Sequence, residues 1–552
     1  MGKLGSIAAA VRQKASDKAF EVRVLHESGV AGLHRPDKAV KVVSAFVRWG
    51  ASPALGITTA AIHYPHETAL IDERGSLTFE QLHRRSNALA HAFERMGIGY
   101  GDGVGIMCRN HRGFIEATLA AAKIGASALY LNTMFAGPQL VEVTRREGPK
   151  ALVHDEEFTA LLDGVDEGIQ RVVGWSEGET GSPTLDSLIA SADDSDLKPP
   201  PDKPRFVILT SGTTGTPKGA QRSSPDGLFA MAAIIDKIPY RSRETMMIAA
   251  PLFHSWGFFH FIMSLPTAST IVLRRRFDPE ETLRAVQDHR AQVLAVVPVM
   301  IQRILQLPDE TLASYDLSSL RITSLSGSAL PGELATEWMD RFGDTIYNLY
   351  GSTEVAYATV ATPADLRAAP GTAGQPPRGT IVRLYDEQGR EVPRGEVGRI
   401  FVGNEMSFEG YTGGGGKEAI DGLLCSGDVG HLDSAGRLFV DGRDDEMIVS
   451  GGENVFPREV EDLLADHEAV VEVAVIGVED DEYGQRLKAF VVAAEGVEVS
   501  AEDLKAHVKA HLAGYKAPRE VEFIAELPRN ASGKILKREL AGRPHTDSRS
   551  HG

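Results

Sequence analysis

The densest concentration of chemistry in this 552-residue chain is Leu209-Thr210-Ser211-Gly212-Thr213-Thr214-Gly215-Thr216-Pro217-Lys218-Gly219. Its three glycines let the backbone turn tightly and aim N–H groups at an anion, and its five hydroxyls and one ammonium add donors for phosphate oxygens. It is not the nucleotide loop in which Gly-Lys precedes Ser or Thr, because Pro217 and Gly219 flank the lysine. A run so rich in donors does not suit a plain linker. Farther on stand Ser326-Gly327-Ser328-Ala329, small enough to let backbone approach a flat ring, and Tyr350-Gly351-Ser352-Thr353-Glu354, hard oxygens beside one carboxylate. Ser426-Gly427-Asp428, Gly442-Arg443-Asp444-Asp445 and the basic run Pro528–Arg538 complete the set. Taken singly, each of these shorter runs also fits an ordinary turn.

The elements that must position these residues read as an α/β fold. Short β-branched runs (Phe206–Leu209, Met247–Ala249, Thr270–Leu273, Val293–Val297, Tyr347–Tyr350) alternate with helical patterns at Phe79–Met96, Gly113–Lys123 and Pro279–His289. Thr78 followed by Gln81 predicts a capping box at the first helix. Residues 192–204, with four prolines, form an exposed connector to the strand before the glycine-rich loop. Past residue 445 the pattern changes to a compact α+β unit: a helix at Pro457–His467, strands at Val471–Val478 and Leu487–Ala493, a helix at Ala501–Leu512 and a strand at Val521–Ile524. The expected domains are a basic arm (1–50), a large domain (51–444), a small domain (445–541) and a disordered polar tail (542–552).

In order and type these segments resemble the adenylate-forming superfamily, which includes acyl-CoA synthetases, luciferases and peptide-synthetase adenylation domains, from about Leu77 to about Leu540. The resemblance implies a large multi-subdomain α/β domain followed by a mobile α+β lid. It implies that Thr210, Ser211, Gly212, Thr213, Thr214, Gly215 and Lys218 cradle the phosphates of ATP. Gly327, Ser328 and Ala329 would pack against adenine, while Tyr350, Gly351, Ser352 and Thr353 would contact the adenylate. Glu354 and Thr210 would hold Mg²⁺, and Asp428 and Arg443 would bind the ribose. Asp445 corresponds to the hinge, and Gly451 and Gly452, which otherwise read as a hairpin turn, would leave room for the pantetheine arm of coenzyme A. His254, Trp256 and Gly327 would line the acyl pocket. The catalytic set would be Lys534, Lys218, Glu354 and His254. A carboxylate attacking a phosphoryl group brings two anions together, and a cation such as Lys534 stabilises the charge that builds there. A solvated basic turn is the plainer reading of that lysine, since Lys537 and Arg538 are close by.

Pro251–Gly257 contains no acid of the kind that binds an α-ammonium in amino-acid-activating relatives, which disfavours an amino-acid substrate. The implied reaction turns a carboxylic acid, ATP and coenzyme A into acyl-CoA, AMP and pyrophosphate. The apolar run Phe258–Met263 points to a medium- or long-chain fatty acid, although a buried helix explains it equally. A ligase that loads a carrier protein, or a catalytically silent lipid-binding homologue, remains as an alternative.

The formal net charge of −18 argues against nucleic acid as a partner, and two cysteines cannot build a disulfide framework, which favours a cytoplasmic setting. Residues 1–48 run the other way, with nine basic side chains against four acidic ones. Within them, residues 38–49 fit either a peripheral membrane contact or a helix packed on its own domain. The opening Met1-Gly2-Lys3-Leu4-Gly5-Ser6 matches the short myristoylation pattern, one that chance often supplies.

Overall fold

A computed structural model describes residues 2–31, 36–50, 52–202, 205–210, 218–222, 227–406, 408–411, 416–450, 453–480, 484–530 and 533–541. The residues expected to form a disordered tail, 542–552, lie outside that set.

Two large sheets make the frame of the large domain. From edge to edge the first runs Thr359–Ala361, Ile346–Tyr350, Ile322–Leu325, Val293–Val296, Thr245–Ile248, Thr270–Leu273, Thr68–Asp72 and Gly75–Thr78. Its six inner strands are parallel and its two edge strands antiparallel. Val293–Val296 is buried at every position, which is why it reads as an unbroken apolar run rather than an alternating one. The second sheet holds Phe408–Tyr411, Lys218–Arg222, Phe206–Thr210, Ser127–Tyr130, Gly103–Met107, Ala151–Asp155 and Gln170–Trp175. One apolar core runs through both sheets and the helices packed on them. A smaller antiparallel sheet carries Leu423–Leu432 and Leu438–Arg443.

The capping box at helix Phe79–Arg95 is formed: Gln81 Oε1 accepts from the Thr78 N–H at 2.8 Å, and Thr78 Oγ1 from the Gln81 N–H at 3.2 Å. Helix Ser255–Ser264 accounts for the apolar run 258–263. Phe258, Phe261 and Met263 are buried in the core, so the run needs no ligand to explain it.

The basic arm folds as two helices, α1 (Gly2–Glu27) and α2 (Pro36–Trp49). α1 lies on helix Phe229–Lys237, with the Phe20 and Phe229 rings 5.8 Å apart and the Arg378 guanidinium 4.7 Å above Phe20. α2 rests on helix Pro53–His63. Among the described residues, no helix is long and apolar enough to cross a membrane.

A turn at Asp444–Glu446 leads into the small domain, which has its own five-stranded sheet, the helices Pro457–Ala465 and Ala501–His511, and a separate core that includes Val460, Leu464, Val475 and Val508. The large-plus-small architecture is the one expected from the sequence. The two domains touch: Gln302 Nε2 donates to the Val471 carbonyl at 3.0 Å, and Arg458 Nη1 to the Val440 carbonyl at 2.6 Å.

Candidate functional site

Parallel strands deliver their following loops to one edge, which is where α/β sheets bind ligands. The strands ending at Ile248, Val296, Leu325 and Tyr350 are parallel neighbours. They bring together the His254 segment, Val297–Val299, Ser326–Ala329 and Gly351–Glu354. Gly327 has φ +96°, a backbone state that favours glycine, and is exposed with Ala329, while Ser328 is half-buried. A Cβ on Gly351 would stand 2.2 Å from the Ala356 carbonyl oxygen, so only glycine fits the turn that follows Tyr350.

Asp428 and Arg443 face each other on paired strands, with Arg443 Nη1 3.2 Å from Asp428 Oδ1. The Tyr350 hydroxyl donates to Asp428 Oδ2 at 2.6 Å and lies 3.2 Å from Ser426 Oγ. Burial, the Asp428 charge and the hydrogen bond to it push the Tyr350 phenol well up, so it remains a donor. Asp428 is buried yet keeps acceptor capacity beyond these partners, which suits a diol.

Glu354 lies nearby. Burial works against its ionisation, but the Tyr411 hydroxyl (2.7 Å to Oε1), the Lys417 charge and the Ser352 hydroxyl (3.0 Å to Oε2) outweigh that and hold the carboxyl below the ordinary range. An ionised, half-buried carboxylate beside hydroxyls is a donor set that fits Mg²⁺. Thr353 is half-buried in the same turn.

His254 closes the other side. Its Nε2 is buried and accepts no hydrogen bond in the described structure. Burial, and after it the charge of Lys534, push the imidazole down to about 4, so it is neutral near pH 7. Lys534 therefore lies close enough to act on a group 280 residues earlier in the chain. Gly533, with φ +79°, makes that approach geometrically available: a Cβ there would stand 2.7 Å from Val299 Cγ1. The turn is fixed by Asn530 Oδ1 accepting from the Lys534 N–H at 2.9 Å and by Arg529 Nη1 donating to the Gly533 carbonyl at 2.7 Å. Lys537 is occupied by Glu446 (3.0 Å) and Glu461 (2.9 Å), whereas Lys534 is exposed and no carboxylate among the described residues pairs with it.

Trp256 is buried, stacks on Phe259 with ring centroids 5.4 Å apart, and donates from Nε1 to the Val296 carbonyl at 3.0 Å. His260 donates from Nδ1 to the Trp256 carbonyl at 3.0 Å, which leaves Nε2 to accept from the Tyr240 hydroxyl at 3.1 Å.

The structure thus brings together Tyr350, Gly351, Ser352, Thr353, Glu354, Asp428 and Arg443 on one side, and His254, Trp256, Gly327 and Lys534 on the other. Ser211, Gly212, Thr213, Thr214, Gly215, Gly451 and Gly452 lie outside the described residues, as do the side chains of Thr210, Lys218 and Asp445. Thr210 ends the strand Phe206–Thr210, Lys218 starts Lys218–Arg222, and the two pair in register. Ser450 pairs with Glu453 on either side of Gly451 and Gly452.

Two residues that sequence reasoning does not reach support the site. Tyr411 anchors Glu354 from 57 positions away. Asn110 Nδ2 donates to the carbonyls of Ile248 (3.3 Å) and Ala250 (2.9 Å), and its Oδ1 accepts from the Leu252 N–H at 2.8 Å. It thereby ties the second sheet to the segment that carries His254. No local pattern announces either contact.

Residues 57–412 match the AMP-binding enzyme family and residues 459–534 the AMP-binding enzyme C-terminal domain. The chain is similar to a feruloyl-CoA synthase of an Amycolatopsis species, with 35% identity over 492 residues, 87% of this chain and 96% of that protein. It is similar also to the fatty acid–[acyl-carrier-protein] ligase ScoC of Streptomyces coeruleorubidus, with 32% identity over 510 residues, 89% of this chain and 97% of that protein. Among solved structures it resembles o-succinylbenzoate CoA synthetase (MenE) from Bacillus subtilis in complex with its acyl-adenylate intermediate, with TM-score 0.77 and 27% identity over 89% of this chain and 98% of that one. On the extent of these matches, the chain belongs to the AMP-binding enzymes, the adenylate-forming ligases of carboxylic acids.

Proposed function

We propose that this protein is an acyl-CoA synthetase that activates an apolar carboxylic acid with ATP and passes the acyl group to coenzyme A. The observation that carries the reading is the packing of the Lys534 turn on Val299, which sets its ammonium, paired with no carboxylate among the described residues, toward the His254 pocket beside the edge that bears Tyr350, Glu354 and Asp428.

In the first half-reaction a carboxylate oxygen of the acid attacks the α-phosphorus of ATP, the bond to the bridging oxygen breaks, and pyrophosphate leaves. Negative charge grows on the phosphoryl oxygens, and a cation fixed there stabilises the transition state more than the ground state. That is the role we give Lys534, with Lys218 offsetting phosphate charge. Asp428, steadied by Arg443 and Tyr350, accepts from the ribose hydroxyls. Glu354 and Thr210 would hold Mg²⁺, which when bound neutralises phosphate charge as a Lewis acid. His254, neutral and without a hydrogen-bond partner at Nε2 among the described residues, offers the acid or its adenylate a polar contact without a charge. In the second half-reaction the thiol loses its proton and its sulfur bonds to the acyl carbon, while AMP leaves with the electrons of the acyl–oxygen bond. Turning the small domain about Asp445 would withdraw Lys534 and present Gly451 and Gly452 to the thiol.

For the acid, we propose a medium- or long-chain fatty acid, a reading supported by similarity to the fatty acid–[acyl-carrier-protein] ligase ScoC. An aryl acid is the second reading, favoured by the Trp256–Phe259 stack at the pocket wall and by similarity to a feruloyl-CoA synthase. Release of AMP over straight-chain acids of graded length and over aryl acids decides between them. Preference for aryl acids at every length would overturn the fatty-acid reading. Coenzyme A is the proposed acceptor. Acyl-AMP that stalls in its presence, yet is discharged by a phosphopantetheinylated carrier protein, would assign the chain to the carrier-loading ligases instead.

A further inference from the structure

We infer that the outward face of α2 seats this protein on an anionic lipid surface. On its inner side Ala45 and Trp49 are buried and Val42 is half-buried. On its outer side Val40, Val43, Phe46 and Val47 are 71%, 63%, 53% and 81% exposed. Positions 40, 43 and 47 share one helical face. Scattered exposed apolar residues are normal, but this is not scatter: of thirteen large apolar side chains exposed among the described residues, four fall within eight positions of one helix.

The polar residues Lys38, Lys41, Ser44 and Arg48 follow a separate stripe along the same helix. Lys38 donates to the His63 carbonyl at 2.7 Å and Arg48 to the Leu197 carbonyl, so both fix α2 to the body. Lys41 is exposed beside the apolar face. An apolar ridge with a cation at its edge is the form of a helix that lies in a membrane interface, its apolar side chains among the acyl chains and the Lys41 ammonium level with the phosphates.

Charge selects this partner. Residues 1–48 carry nine basic and four acidic side chains, whereas the whole chain has a net charge of −18. The body is repelled by an anionic surface and the arm is drawn to it, so the molecule meets such a surface arm first. A second copy would set one net-positive arm against another, which works against a symmetric contact on the same face. The helix also precedes residues 57–412, the region that matches the AMP-binding enzyme family.

The test is co-sedimentation of the full chain with vesicles of phosphatidylcholine alone, and of phosphatidylcholine mixed with phosphatidylglycerol, at low and high salt. We expect binding to the mixed vesicles, weakened by salt. The double variant Val43→Asp/Val47→Asp lowers the partition at least about tenfold, Lys41→Glu lowers it by about tenfold, and Val47→Trp raises it. AMP release with a water-soluble acid stays unchanged in all three variants, which separates this inference from the proposed activity. Failure of the wild-type chain to bind mixed vesicles, or equal binding by the Val43→Asp/Val47→Asp variant, would overturn the inference. So would a dimer in gel filtration that the same double variant dissolves while the wild type ignores vesicles, since the face would then belong to a second copy.

Discussion

Lys534 of the small domain sits near enough to His254 of the large domain for its charge to add to burial in holding that imidazole down to about 4. Gly533 is the residue that permits this, because its missing side chain lets the lysine turn press on Val299. Among the described residues no carboxylate pairs with this lysine. Lys537, three positions on, is spent on Glu446 and Glu461.

The two lysines should therefore separate cleanly. Lys534→Ala is expected to slow adenylate formation by about 10²–10³-fold while leaving thioester formation from supplied acyl-AMP largely intact. Lys537→Ala leaves two part-buried carboxylates unpaired and should cost stability, on the order of 1–3 kcal/mol, in thermal unfolding. Pyrophosphate exchange, single-turnover thioesterification and melting curves read the three effects. Equal loss of both half-reactions in Lys534→Ala would remove the role given to it.

Gly533→Ala tests the closed arrangement itself. The added Cβ would stand 2.7 Å from Val299 Cγ1, and φ +79° adds strain. We expect adenylation to fall by about tenfold or more, and the double variant Gly533→Ala/Val299→Ala to recover part of it. No recovery would mean that the backbone strain, not the domain contact, causes the loss.

At the nucleotide end, Asp428→Ala removes the acceptor that Tyr350 and Arg443 hold in place. A charge-assisted hydrogen bond is worth about 1.5–3 kcal/mol, so the KM for ATP should rise roughly 10- to 150-fold. Tyr350→Phe should give a smaller rise in the same direction. An unchanged KM for ATP in Asp428→Ala would detach this pair from the ribose.

Stability should fall in acid for a specific reason. His260 is fully buried, and burial depresses its imidazole from 6.5 to about 4. The folded state thus binds its proton less readily than the unfolded one. The stability it contributes is whole above 6.5 and is lost as pH falls toward 4, by up to about 3 kcal/mol. His254 acts in the same direction. His260→Gln should flatten the melting temperature against pH in that window, by about 1.4 kcal/mol per pH unit at its steepest. An unaltered slope would show that other groups set it.

Much of this was legible from local pattern. The Thr78–Gln81 box and the strands that end at the chemistry-bearing loops each rest on neighbouring residues, and each is found where spacing predicts it. What lay beyond reach depends on pairing across the chain. Tyr411 meets Glu354 only because Phe408–Tyr411 joins the edge of the second sheet, and Asn110 meets Ile248 only because two sheets abut. The run 258–263 misleads in the opposite sense: core packing of Phe258, Phe261 and Met263 accounts for its apolar character, so the run does not by itself point to a fatty acid.

The packing of α1 bears on how the enzyme can be handled in the laboratory. Phe20, Val24 and Leu25 belong to the same continuous core as the helix Phe229–Lys237 that α1 covers. Cutting the chain back to residue 57, where the match to the AMP-binding enzyme family begins, would strip that cover and leave the apolar side of that helix bare. A shortened enzyme prepared that way should clump or melt early even though every residue assigned to the reaction is still present.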